Sequence, residues 1–167
     1  MKVLRSHITH IEKKFAFEIS SEEIQVPELS ETAAANVGMY SMGENYFAHG
    51  SIEGRLALTC DICLGAFEYP VRSEFELYVQ SDTGETIPES EDVDIIHVGK
   101  QDVYVDLSEF LHDMLLLEIP IQKRCRPDCK GLCSVCGGNL NEQECRHERD
   151  QIDPRWAALK DIRTKLN

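Results

Sequence analysis

The sequence predicts an α+β protein: an antiparallel β-rich body, arranged as a sheet or small barrel, with one packed helix, a cysteine-rich segment and a C-terminal helix. Three observations carry that prediction. Two long stretches, 46–59 and 67–79, alternate apolar and polar residues at period two, as half-buried strands do. A later stretch, 107–118, has helical spacing between an acidic start and a proline stop. The seven cysteines fall largely in close pairs. A chain of 167 residues suits one domain with a small appendage. The expected divisions are a body over 1–120, a cysteine-rich segment over 121–150 and a helix over 151–167.

The first 45 residues suggest short strands and loops. Phe15, Phe17 and Ile19 alternate with Ala16, Glu18 and Ser20, a strand pattern. Residues 28–43 are rich in small and polar side chains and suggest no single element. In the first long strand Ile52, Gly54, Leu56 and Leu58 share one face, with Glu53, Arg55, Ala57 and Thr59 opposite. In the second, Phe67, Tyr69, Val71, Phe75, Leu77 and Val79 fall at period two, and Ser73 interrupts the apolar series. Cys60-Asp61-Ile62-Cys63-Leu64-Gly65 lies between them, so an antiparallel pair joined by a cysteine turn is expected.

Residues 81–92 form a polar, acidic loop. Two short strands, 93–98 and 103–105, are expected on either side of a turn at Gly99-Lys100. The helix over 107–118 then begins at Asp106, a good N-cap, with Glu109 three residues on as a capping box requires. Leu107, Phe110, Leu111, Met114 and Leu115 make its apolar stripe, which suits packing on the sheet. Pro120 disfavours helix at Ile119 and ends it. Near the end of the chain, Asp153-Pro154 is a helix start, and Trp156, Leu159 and Ile162 form one face.

Composition excludes several classes of function. No apolar run approaches the roughly 18 residues of a membrane span. The first residues, Met1 to His7, turn polar without the apolar core of a secretory signal. A cytoplasmic protein without membrane association is expected. The net charge of −13 argues against gripping nucleic acid through its phosphates and favours a basic protein partner. There is no HExxH, His-x-Glu deaminase signature, Walker loop, GxGxxG or GxSxG, and no carboxylate pair in a specific pattern. The expectation is a protein that is not an enzyme and takes no small-molecule substrate.

The cysteines carry the chemistry. An odd count in a chain expected to meet a reducing cytosol suits metal ligands better than a disulfide framework. Zinc takes four tetrahedral thiolate or imidazole ligands, and two ligands a few residues apart reach one ion easily. Cys133-Ser134-Val135-Cys136-Gly137-Gly138 has that form, with glycines supplying a permissive backbone. Cys145-Arg146-His147 adds two candidates, Cys125-Arg126-Pro127-Asp128-Cys129 another pair, and Cys60 with Cys63 a fourth.

These eight residues divide most naturally into two structural zinc sites. One joins Cys60 and Cys63 to Cys125 and Cys129, tying the strand connection to the segment after the helix. The other uses Cys133, Cys136, Cys145 and His147. The alternative is one site from Cys129, Cys133, Cys136 and Cys145. A redox dithiol at Cys60 and Cys63 is the competing use, but a reactive CxxC belongs at a helix N-terminus, and this one lies between strands.

The run Ile119-Pro120 and then Cys125 to Asn141, with Leu58 to Leu64 and Ile152 to Leu159, resembles the bacterial YceD family of large ribosomal RNA subunit accumulation proteins. The resemblance spans roughly residues 50 to 160. Ser134 stands where the family usually has proline, and His147 stands where cysteine is common. The resemblance implies a part in accumulation of large-subunit ribosomal RNA, hence ribosome biogenesis, and implies no known reaction. The acidic charge then suggests a basic ribosomal protein or assembly factor as partner. A second reading is direct contact with ribosomal RNA through Arg124, Arg126, Lys130 and Arg146. A third is a thiol redox or metal-sensing regulator.

Overall fold

The two long alternating stretches become the centre of one sheet. The computed structural model of the chain describes residues 1–82 and 94–145. In it β4 (Asn45–Thr59) and β5 (Ala66–Ser81) pair antiparallel from Tyr46↔Val79 to Thr59↔Ala66. Because side chains alternate across a strand, one face of the pair is apolar. Ile52, Leu56 and Leu58 are buried there with Val71, Phe75, Leu77 and Val79. Covering that face removes apolar area from water at roughly 25 cal/mol per Å² and is the main drive for the pairing.

Two strands extend the sheet on one side. β2 (Lys13–Ile19) is the predicted Phe15/Phe17/Ile19 strand, and it pairs antiparallel with β3 (Ala33–Met42). β3 lies in the stretch whose composition suggested nothing definite. Its buried positions include Ala33 and Ala35, residues of poor strand propensity. Its neighbours decide the matter, because β2 and β4 pair with it on both sides.

On the other side β6 (Asp94–Val98) runs parallel to β5, so the strand order is β2-β3-β4-β5-β6. The sheet is open: β2 and β6 end the order and do not pair with each other, which removes the barrel from the two expected architectures. A further correction concerns β6 and β7 (Tyr104–Asp106). They do not fold back on each other around Gly99-Lys100. β7 instead pairs antiparallel with β1 (Lys2–Leu4) in a separate two-stranded ribbon. Val98 and Val105 are both buried, each on a different sheet.

Arg5 joins the ribbon to the main sheet. Its guanidinium donates to Tyr46 Oη (2.8 Å), Gly99 O (3.1 Å), Asp102 O (3.1 Å) and Ser81 Oγ (3.2 Å). It also lies 5.5 Å from the Tyr46 ring centre, within cation–π range.

Helix α2 (Ser108–Leu117) closes the core. Leu107, Leu111 and Leu115 are fully buried, and the Phe110 ring meets Phe75 edge-on at 5.1 Å. The expected stripe is therefore core packing, over bounds one residue shorter at each end than predicted. The expected capping box does not form. Asp106 Oδ1 accepts from both the backbone N–H (3.0 Å) and the hydroxyl (2.6 Å) of Ser108, so the carboxylate serves a turn before the helix. A capping box occurs instead on the short helix α1 (Ser21–Ile24), between Ser20 and Glu23. The expected helix after Asp153 lies outside the described residues.

Where β6 and β7 diverge they leave a groove of about 710 Å³ over the start of α2. Asp94, Asp102, Asp106, Glu109 and Asp113 line it, against Lys2 and His97. No helix among the described residues is long and apolar enough to cross a membrane.

Candidate metal centre

The connection between β4 and β5 is a tight cysteine turn. Leu64 N–H donates to Cys60 O and Cys60 N–H to Gly65 O, both at 2.9 Å. Residues 133–138 repeat this pattern. Gly137 N–H donates to Cys133 O (2.9 Å) and Cys133 N–H to Gly138 O (2.8 Å). In each turn the residue after the second cysteine is left-handed: Leu64 at φ 58° and Gly137 at φ 71°. The two CxxC segments are thus two copies of one local structure that points both sulfurs the same way.

The first turn gathers ligands from a distance. Asp61 N–H donates to Lys123 O (2.8 Å), and Lys123 N–H returns a bond to the Asp61 carboxylate (2.7 Å). This pins the segment after α2 against the β4–β5 turn. Cys60 Sγ then lies 3.9 Å from Cys129 Sγ, and Cys63 Sγ lies 3.7 Å from Cys125 Sγ. All four sulfurs are within 4.8 Å of one another. Cys60 and Cys63 are buried. The second turn gathers Cys133, Cys136 and Cys145 within the same limit, with Cys136 and Cys145 sulfurs 3.5 Å apart. His147, the expected fourth member, lies outside the described residues. Cys129 belongs to the first group, so the alternative set of Cys129 with Cys133, Cys136 and Cys145 is not assembled.

Sulfur spacing and chemistry both suit a metal. A tetrahedral ion with bonds of about 2.3 Å places its sulfurs about 3.8 Å apart, whereas a disulfide requires about 2.05 Å. The observed separations match the first value. All seven cysteines are free thiols.

Their acidities are pulled apart as crowding demands. Burial raises the Cys60 thiol, but N–H groups of Cys125, Cys63 and Ile62 aim at its sulfur and bring it down to about 6. Burial, with Cys129, Cys63 and Cys60 alongside, pushes Cys125 up to about 12. In the second group, N–H groups of Cys136 and Val135 lower Cys133 to about 7, while Cys136, burial and Cys133 raise Cys145 to about 11. Packed thiols cannot all ionise alone, and a bound cation reverses that penalty.

Asn141 was not among the residues singled out from sequence. Its Nδ2 donates to Cys129 Sγ (3.4 Å) and Asn139 Oδ1 (2.8 Å). Its Oδ1 accepts from Lys130 N–H (2.9 Å) and Arg126 Nη2 (2.7 Å). Gly131, at φ 76°, packs directly under Ile62 of the first turn. The Asn139-Leu140-Asn141 run after the paired glycines was the only signal available for the first of these. The other described histidines stand apart from the cysteine groups: His112 Nδ1 meets Ile24 O at 2.6 Å, and His49 faces Glu12.

The family model described as large ribosomal RNA subunit accumulation protein YceD matches residues 48–163. An uncharacterized protein of Mycobacterium tuberculosis is 37% identical over 123 residues, 71% of this chain and 56% of the relative. The match thus spans little more than half of that relative's length. The protein YlbN of Bacillus subtilis is 30% identical over 114 residues, 67% of this chain and 63% of the relative. The Arabidopsis thaliana protein named large ribosomal RNA subunit accumulation protein YCED homolog 1, chloroplastic, is 33% identical over 73 residues, 44% of this chain and 23% of the relative. No solved structure matches the chain.

Proposed function

The chain belongs to the YceD family of large ribosomal RNA subunit accumulation proteins, and from that premise we propose that it is a non-enzymatic ribosome-biogenesis factor, stapled by structural zinc, that acts by binding a basic ribosomal protein or assembly factor. Family membership carries the ribosomal part of this reading. The partner is argued from charge. The net charge is −13, and the groove between β6 and β7 offers five carboxylates against one lysine. Such a surface repels phosphate and attracts basic segments. Clustered free thiols suit a reducing cytosol, where we place the protein.

The zinc is a staple in this reading. The first group ties the β4–β5 turn to residues 125 and 129, and four protein thiolates leave no open position for a substrate. The second group holds the 133–145 segment through Cys133, Cys136 and Cys145, with His147 proposed as fourth ligand.

Two measurements test this. Elemental analysis of the purified protein should find two zinc ions, with Cys60→Ser and Cys133→Ser each losing one. A single ion unaffected by Cys60→Ser overturns the pairing. Affinity capture after nuclease treatment should retain a basic ribosomal protein. Recovery that vanishes with nuclease and falls steeply with salt would replace this partner by ribosomal RNA. Thiols that cycle reversibly through a disulfide without metal loss would favour the redox regulator instead.

A further inference from the structure

We propose that Asn141 makes the two cysteine groups interdependent, so that a metal held by Cys133, Cys136 and Cys145 raises the affinity of Cys60, Cys63, Cys125 and Cys129 for theirs. The inference rests on the metal reading of both groups and adds a mechanism that reading does not contain.

Asn141 stands on the segment organised by the second group but spends its side chain on the first. The second cysteine turn is closed by Cys133 N–H to Gly138 O. Leu132 bridges to Asn139, and Leu140 N–H donates to Gly131 O (2.9 Å), so residues 131–140 form a small hairpin around that turn. Asn139 Oδ1 then accepts from both Asn141 N–H (3.1 Å) and Asn141 Nδ2 (2.8 Å), which aims the Asn141 amide. From there the amide reaches Cys129 Sγ, Lys130 N–H and Arg126 Nη2, all on the loop carrying the first group's later ligands.

All four hydrogen-bonding places of the side-chain amide are filled, two as donor and two as acceptor. Flipping the amide would set its N–H groups against two donors, so only one orientation satisfies the site. An N–H held against a ligand sulfur stabilises the thiolate and fixes its direction, as outer partners of metal ligands do. Ordering 131–145 by a metal therefore sets Cys129 in place before the first ion arrives. The effect is reciprocal: a filled first group positions Asn141 for the second. Asn141 is a positioning residue, since it touches a ligand and not the ion.

Cobalt(II) titration of the full chain against a competing chelator tests this, with thiolate-to-cobalt absorption reporting each group. Cys136→Ser disables the second group and should weaken cobalt binding at the first by roughly 10–100-fold. Asn141→Asp can still accept from Lys130 and Arg126 but cannot donate to Cys129. In that background Cys136→Ser should cost the first group nothing further, and the first group's absorption band should shift. If Asn141→Asp does not fold, Asn141→Ala carries the same test. Equal affinity of the first group in wild type and Cys136→Ser overturns the coupling, as does a loss that simply adds to that of the Asn141 variant. Both groups loading independently leaves the metal reading intact, whereas no cobalt bound by the wild type sinks both.

Discussion

Leu64 and Gly137 occupy the same place in two copies of one cysteine turn, and both are left-handed, at φ 58° and φ 71°. For glycine that conformation is free, whereas an L-residue is held there at about 1–2 kcal/mol. Leu64 is also 64% exposed, so burial returns little. Leu64→Gly should therefore be neutral or stabilise by up to about 1 kcal/mol, the relief being partly offset by a floppier unfolded chain. Gly137→Ala, with open space around its Cβ, should destabilise by about 1 kcal/mol. Denaturant unfolding checks both, and a clear loss in Leu64→Gly would contradict the strain argument.

Gly131 should be less replaceable than Gly137. It shares the left-handed backbone, but a Cβ there would stand 2.8 Å from Ile62 Cγ2 and 3.1 Å from Ile62 O. Gly131→Ala should cost about 2–3 kcal/mol, combining strain with a clash between the two cysteine turns. Weaker metal retention by the first group against a chelator should accompany it. A cost equal to that of Gly137→Ala would mean that the turns do not bear on each other.

Arg5→Lys should destabilise by about 2 kcal/mol. The four groups that Arg5 bonds belong to β4, β5 and the segment between β6 and β7, and an ammonium cannot reach them with one planar fork. Hydrogen exchange in 99–106 should rise more than in β3. Uniform acceleration across the sheet would show that the ribbon is not docked mainly by this residue.

Asp106 gives a signed pH dependence. Partial burial raises its carboxyl, but bonds from Ser108 and the chain's amino group lower it further, to a net value below the usual carboxylate range. Its contribution is fully present above the unfolded value of about 3.9 and is lost as pH falls through the lower folded value. The carboxylate is 47% exposed, so solvent screening keeps the effect small. Asp106→Asn should lower stability slightly at neutral pH and converge on wild type in acid, which flattens the acid side of the stability–pH curve. An unchanged acid limb in the variant would remove Asp106 as its source.

The sequence by itself determined the long strands, the main helix and the cysteine candidates, because each rests on local pattern. Period-two alternation buries one face of β4 and β5, 3.6-residue spacing buries one stripe of α2, and paired cysteines with a following glycine mark a turn. The β4–β5 pair and the grouping of Cys60 and Cys63 with Cys125 and Cys129 were also expected from the sequence, but tertiary structure decided the other meetings. β3 is a strand because β2 and β4 flank it, against the propensity of its alanines. β7 leaves β6 for β1, a partner 102 residues distant at Val3↔Val105. Cys60 and Cys63 meet Cys125 and Cys129 because the Asp61–Lys123 bonds bring the segment after α2 back to the strand turn. Asn141 acquires a role only through that meeting. Pairing between elements far apart in sequence is a property of positions in space, and local spacing records only part of it.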